Sequence, residues 1–235
     1  MEYFYSQIDA CVVGEKLDSG ATVSLLIELS DFINRSDLRK DLITELERVA
    51  NAFRVFSGNP QVDPNNLEKV IATIKDSLTT LKSRDYKPGN CLKADELIHQ
   101  VRQKNSSQKG VAKFDVPRFY FWSNLSQEEK IFQIEKWMSD ILPLKNANAL
   151  MLEIIRGSSV TSFETASEGF FQRNLDKEKM NYLLRFSLPM SLPVFPEASG
   201  GKHRFTVRFF HHYDTSSKPK QTSDTIQFQV QICGI

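Results

Sequence analysis

The apolar residues of this 235-residue chain change their period near residue 157, and that switch constrains the fold more than any single motif. Upstream they recur at helical spacing. Leu38, Leu42, Leu46, Val49, Phe53 and Phe56 form one stripe, and Leu67, Val70, Ile71, Ile74, Leu78 and Leu81 form another. Downstream they alternate: Phe205, Val207 and Phe209 fall on one face of a strand, with Thr206, Arg208 and Phe210 on the other. Helices first and strands last predict an α+β chain, with a helical N-terminal domain and a small antiparallel β-rich C-terminal domain. The expected domains are 1–160 and 161–235, with a loop region over 104–122 that could pack on the β part.

Local signals place the elements. Helices are expected over 21–34 and 37–56, with Asp37 as the cap between them. Ser57-Gly58-Asn59-Pro60 reads as a turn, after which Asp63 caps and Pro64 opens a helix. A shorter helix is expected over 92–104, followed by a polar loop over 104–110. The aromatic run Phe119-Tyr120-Phe121-Trp122 has only Lys113 and Arg118 as basic company, so it reads as core packing rather than base stacking. Ser126 and Glu129 spell a capping box, and Pro143 begins a last helix ending near Gly157. Strands are expected over 182–190, 203–213 and 224–235.

Hydrophobic content of 40% with 17 Phe suits a globular core. No apolar run reaches the ~18–20 residues of a membrane span, and the first residues lack the pattern of a signal peptide. Cys11, Cys91 and Cys233 form neither a disulfide framework nor a zinc spacing, which fits a reducing cytosol. No phosphate loop, nucleophile elbow or H-E-x-x-H is present, so neither catalysis nor a cofactor is expected. His211-His212 does not read as a metal site, because adjacent strand residues point to opposite faces.

Charge is distributed unevenly. Residues 179–235 carry 7 Lys+Arg against 3 Asp+Glu, whereas residues 1–178 carry 23 against 26. The C-terminal excess points to an anionic partner. Arg204 and Arg208 share one strand face, roughly 13–14 Å apart at the usual rise, and with Lys202 suit the carboxylates of a bound peptide. A nucleic-acid binder using this basic sheet is the alternative; the acidic balance of the helical part opposes it.

The string Arg35-Ser36-Asp37-Leu38-Arg39-Lys40-Asp41-Leu42, then Glu45-Leu46-Glu47-Arg48, resembles the ZapD family of FtsZ-associated cell division factors. The likeness continues through Phe114-Asp115-Val116-Pro117, Trp137 and Ile154-Ile155-Arg156 to Phe195-Pro196-Glu197 and Lys202-x-Arg204-Phe205-x-x-Arg208-Phe209. It implies a cytoplasmic, non-enzymatic homodimer acting at the midcell division site. Such a protein binds the C-terminal tail of FtsZ in a basic pocket, bundles protofilaments in the Z-ring and is associated with reduced FtsZ GTPase activity. Arg35 and Arg204 match the family's pocket residues, and Arg208 is their neighbour on strand geometry. Tyr120 occupies an often-histidine position and Glu96 a usually basic one, while Ser107-Gln108-Lys109-Gly110 replaces Ile-Pro-Gly-Gly. Relatives carry a strand and the first turns of a helix before the point where Met1 aligns, so the helical pattern at Met1, Phe4, Tyr5 and Ile8 is expected to begin inside that helix.

Overall fold

A computed structural model describes residues 1–13, 17–35, 37–55, 63–105, 116–176, 180–212 and 216–234. The chain divides into two compact units, Met1–Met151 and Leu152–Ile235. The helical elements are α1 Glu2–Val13, α2 Ser19–Arg35, α3 Leu38–Val55, α4 Pro64–Lys82, α5 Asn90–Ala94, α6 Glu96–Asn105, α7 Pro117–Ser123, α8 Gln127–Met138 and α9 Leu142–Gly157. The polar loop and turn expected at 104–110 and 57–60 fall mainly outside the described residues.

Within the described residues the stripes seen in the sequence supply the buried and partly buried positions; Phe56 lies outside those residues. In α2, Val23, Leu26, Ile27, Ser30 and Ile33 turn inward, and in α3 Leu42, Leu46, Val49 and Ala50 do so. The α3 stripe packs on α4, where Ile74 and Leu81 are fully buried. Caps start these helices where local chemistry predicts. Asp63 accepts a hydrogen bond from Asn65 N at 3.0 Å with Pro64 in the first turn, and Ser126 and Glu129 form a reciprocal capping box.

The helix expected over 92–104 is instead two helices broken at Asp95, whose backbone is extended. The Asp95 carboxylate accepts from Leu97 N at 2.9 Å and Ile98 N at 3.2 Å, which caps α6. Its other oxygen accepts from the indole Nε1 of Trp137 on α8 at 2.8 Å. A short acidic side chain that can satisfy free helix N–H groups favours a cap over a helix interior. Asp140 does the same for α5, accepting from Gly89 N at 3.1 Å and Cys91 N at 2.7 Å.

Two readings of residues 104–122 are corrected. Helix α7 occupies Pro117–Ser123, where a loop was expected, because Pro117 suits a first turn that needs no N–H donor. The aromatic run is not wholly core: Trp122 is buried against Trp137 at 5.3 Å between ring centroids, but Phe121 is 69% exposed. At helical spacing only part of a four-residue run can face inward.

Arg39, near the start of α3, closes the far end of α4. Its Nε donates to the Leu81 carbonyl at 2.6 Å, Nη1 to Tyr86 at 2.8 Å and Nη2 to Ser83 at 2.8 Å. The guanidinium also lies 5.5 Å from the Tyr86 ring. Helix C-termini leave carbonyls unsatisfied, and a planar five-donor fork suits several at once. The Arg102–Asp31 pair, 3.0 Å, links α6 to α2.

The second unit contains two antiparallel sheets. Its strands are β1 Val160–Ala166, β2 Phe170–Asn174, β3 Asn181–Ser187, β4 Val194–Gly200, β5 Arg204–His211, β6 Lys220–Gln221 and β7 Ile226–Gly234. One sheet has the order β1-β7-β3; the other has β2-β5-β4, with β6 also paired to β5. Phe205, Val207 and Phe209 of one sheet share a core with Phe228, Val230 and Ala166 of the other. The Phe209 and Phe228 rings are 5.0 Å apart, a close aromatic contact. Alternate residues of two sheets therefore fill one apolar layer.

The chain passes from one sheet to the other through a tight turn between β1 and β2. Glu168 (φ 51°) and Gly169 (φ 65°) both have left-handed backbones, as the favoured two-residue hairpin requires. A Cβ on Gly169 would lie 2.5 Å from the Thr222 carbonyl oxygen, so only glycine fits.

Candidate partner-binding surface

The candidate basic surface is built on β5, the central strand of its sheet. Phe205, Val207 and Phe209 are fully buried, which fixes Arg204, Thr206, Arg208 and Phe210 on the opposite, outward face. Arg204 and Arg208 are both exposed. The register sets their neighbours: Arg208 stands between Phe170 on β2 and Glu197 on β4, while Arg204 stands opposite Asn174.

The Arg208 guanidinium lies 5.9 Å from the Phe170 ring centroid. Among the described residues it makes no ion pair with Glu197, although directly opposed strand residues have Cβ atoms only ~4.5–5.5 Å apart. Stacking on an aromatic face leaves the edge N–H donors of an arginine available for a carboxylate. Phe210 pairs with Phe195, with ring centroids 5.9 Å apart and near-parallel planes. The outward face thus runs from aromatic residues at the His211 end to basic ones at the β4–β5 hairpin. At that hairpin Gly201 N donates to the Arg204 carbonyl at 2.9 Å, and Lys202, His203 and Arg204 line an open depression.

Sequence-predicted residues are found in both units. Lys202, Arg204 and Arg208 share one sheet of the second unit. Arg35 is exposed in the last turn of α2, where a cation complements the helix dipole. Tyr120 is 44% exposed on α7. Glu96 sits in the first turn of α6, also favourable for its charge, and accepts from Gln100 Nε2 at 3.0 Å. His211 Nε2 lies 3.5 Å from Asp224 Oδ2, and among the described residues no group of three or more ligating side chains could hold a metal.

Two neighbours escaped the sequence reading as companions of the arginines, Phe170 and Phe195; Phe210 is already placed on the Arg208 face by strand alternation. The signal for β2 lay in the Glu168-Gly169 turn followed by Phe170-Phe171-Gln172-Arg173. Its partners on β5 lie 30 to 38 residues away, from Asn174–Arg204 to Phe170–Arg208, beyond the reach of local pattern.

Among the described residues, no helix is long and apolar enough to cross a membrane. The family model described as "ZapD: Cell division protein" matches residues 1–208. The curated "Cell division protein ZapD" of Methylococcus capsulatus (strain ATCC 33009 / NCIMB 11132 / Bath) is 32% identical over 220 residues, covering 94% of this chain and 86% of that protein. The match takes in the helical stripes and β5 through Arg208, and the chain belongs to the ZapD family of cell division proteins.

Proposed function

We propose that this cell division protein binds the C-terminal tail of FtsZ and cross-links FtsZ protofilaments into bundles, without enzymatic activity of its own. Bundling promotes Z-ring assembly at midcell in the cytoplasm and accompanies reduced FtsZ GTPase activity. The observation that carries this reading is the pair Arg204 and Arg208, outward on a rigid central strand and unpaired with any described carboxylate. Arg204, Arg208 and Lys202 contact anionic groups of the tail, with Arg35 and Tyr120 as further contacts. Charge-assisted bonds to two guanidiniums carried on one strand face give direction as well as attraction. Cross-linking requires two sites per particle, which a twofold homodimer supplies, and a polymeric partner multiplies weak single-site binding.

Co-sedimentation with FtsZ, intact and lacking its tail, tests the reading. Arg204→Glu reverses a charge in the contact and costs about 1–2 kcal/mol per exposed site, so bundles held by many such sites are lost. Bundling should also weaken with added salt. Equal pelleting by wild type and Arg204→Glu, or pelleting independent of the tail, would refute it. Steep salt-dependent retention on DNA without affinity for the tail would favour nucleic-acid binding by the same basic sheet.

A further inference from the structure

We infer that Arg173 and Glu164 form a charged guard on the inner side of β1, which keeps this open edge strand from pairing with the β1 of a second copy. Strand β1 ends the order β1-β7-β3 and pairs with β7 alone among the described strands. Its outer edge therefore presents unpaired N–H and C=O groups, a template for another strand. Little in its sequence discourages such pairing. Val160-Thr161-Ser162-Phe163-Glu164-Thr165-Ala166 contains no Pro, Gly or Lys and is rich in strand-forming residues. Thr161, Phe163 and Thr165 face outward, and Phe163 is 85% exposed. This outward set is symmetrical about Phe163. An antiparallel twofold pairing centred there would set Phe163 against its own copy and Thr161 against Thr165, cross-strand pairs that stabilise a sheet.

The inner side of β1 is different. Ala166 joins the apolar layer with Phe228 and Val230, and Glu164 and Ser162 continue that face toward the rim. Arg173 shares the inward side of β2 with Phe171, whose ring packs on Phe205 and Phe228. From there its Nη1 reaches across to β1, donating to Glu164 Oε1 and to Ser162 Oγ, each at 2.9 Å. Ser162 Oγ donates to the same carboxylate oxygen at 2.7 Å. The ion pair stays partly in water, with the Arg173 side chain 40% and that of Glu164 24% exposed. Pairing of two β1 strands would place each Glu164 opposite Ser162 of the other copy and close the rim over both ion pairs. Two charged pairs would then lose water beside an apolar layer, a penalty that can exceed their attraction. A charge aimed inward from an edge strand thus costs little in the free chain and much in the paired one.

The test uses the full chain over a range of concentrations, with light scattering after size exclusion as readout. The double variant Glu164→Val/Arg173→Val removes both charges and leaves neither unpaired. It should form particles of about twice the wild-type mass or more, growing as concentration rises. Adding Phe163→Lys, which sets like charges directly opposite in the twofold pairing, should return the mass to the wild-type value. Adding Phe132→Lys instead, at a site 70% exposed on α8, should not. Circular dichroism checks that each variant is folded. Where the Val pair is not, Glu164→Gln/Arg173→Gln takes its place, with the same order of masses reached at higher concentration. A folded double variant that keeps the wild-type mass at every concentration would overturn the inference. So would association that Phe163→Lys leaves in place, or that Phe132→Lys reverses equally.

Discussion

Arg39 belongs to the basic string that begins at Arg35, yet its contacts assign it to the architecture of the helical unit. Replacing it with Met keeps the aliphatic stem and removes three donors. The Nε and Nη1 bonds to Leu81 and Tyr86 are part-buried, whereas the Nη2 bond to Ser83 is exposed. Hydrogen bonds from a charged donor contribute about 1.5–3 kcal/mol each when shielded, and water replaces much of the exposed one. Taking the lower value for the two part-buried bonds, Arg39→Met should cost about 3 kcal/mol. Arg39→Lys should recover only about a third, because an ammonium cannot span three carbonyls set around a planar fork. Both tryptophans, Trp122 and Trp137, lie in the helical unit, so urea unfolding followed by tryptophan fluorescence reads that unit separately. An Arg39→Met midpoint within error of wild type, or full stability in Arg39→Lys, would refute the capping argument.

Other expectations follow from particular contacts. Gly169→Ala should destabilise the β unit by at least 2 kcal/mol, since its Cβ meets the Thr222 carbonyl at 2.5 Å, whereas Glu168→Asn should stabilise it by up to ~1 kcal/mol; thermal unfolding by circular dichroism distinguishes them. Asp95→Ala removes the α6 cap and strands the Trp137 indole, with an expected loss of about 2–3 kcal/mol on denaturant unfolding. Burial pushes the Tyr86 phenol up to about 12 and Tyr5 higher still. A folded-state value raised above the ordinary 10 means that neutral Tyr86 favours the folded state below pH ~10 and that this stability is lost between pH ~10 and ~12. Ultraviolet titration should show a late-ionising phenolate component, and Tyr86→Phe should diminish it.

What the sequence determined by itself was the set of features governed by neighbours along the chain. Helical stripes, the Asp63 cap, the Ser126–Glu129 box and the alternation that turns Arg204 and Arg208 outward all depend on residues within a few positions. Their physics is the geometry of one helix or one strand, so spacing suffices. Tertiary structure alone decided the rest. Asp95 breaks a helix whose stripe reads through it, and its second oxygen is held by an indole 42 residues away. Arg39 resembles a surface cation until its acceptors, 42 to 47 residues distant, are brought to it. The division of the β unit into two sheets, and the placing of Phe170 under Arg208, required strand pairing across long connections. An arginine's charge is written in the sequence; whether it caps a helix or faces a partner is set by which carbonyls, rings and carboxylates the fold places around it.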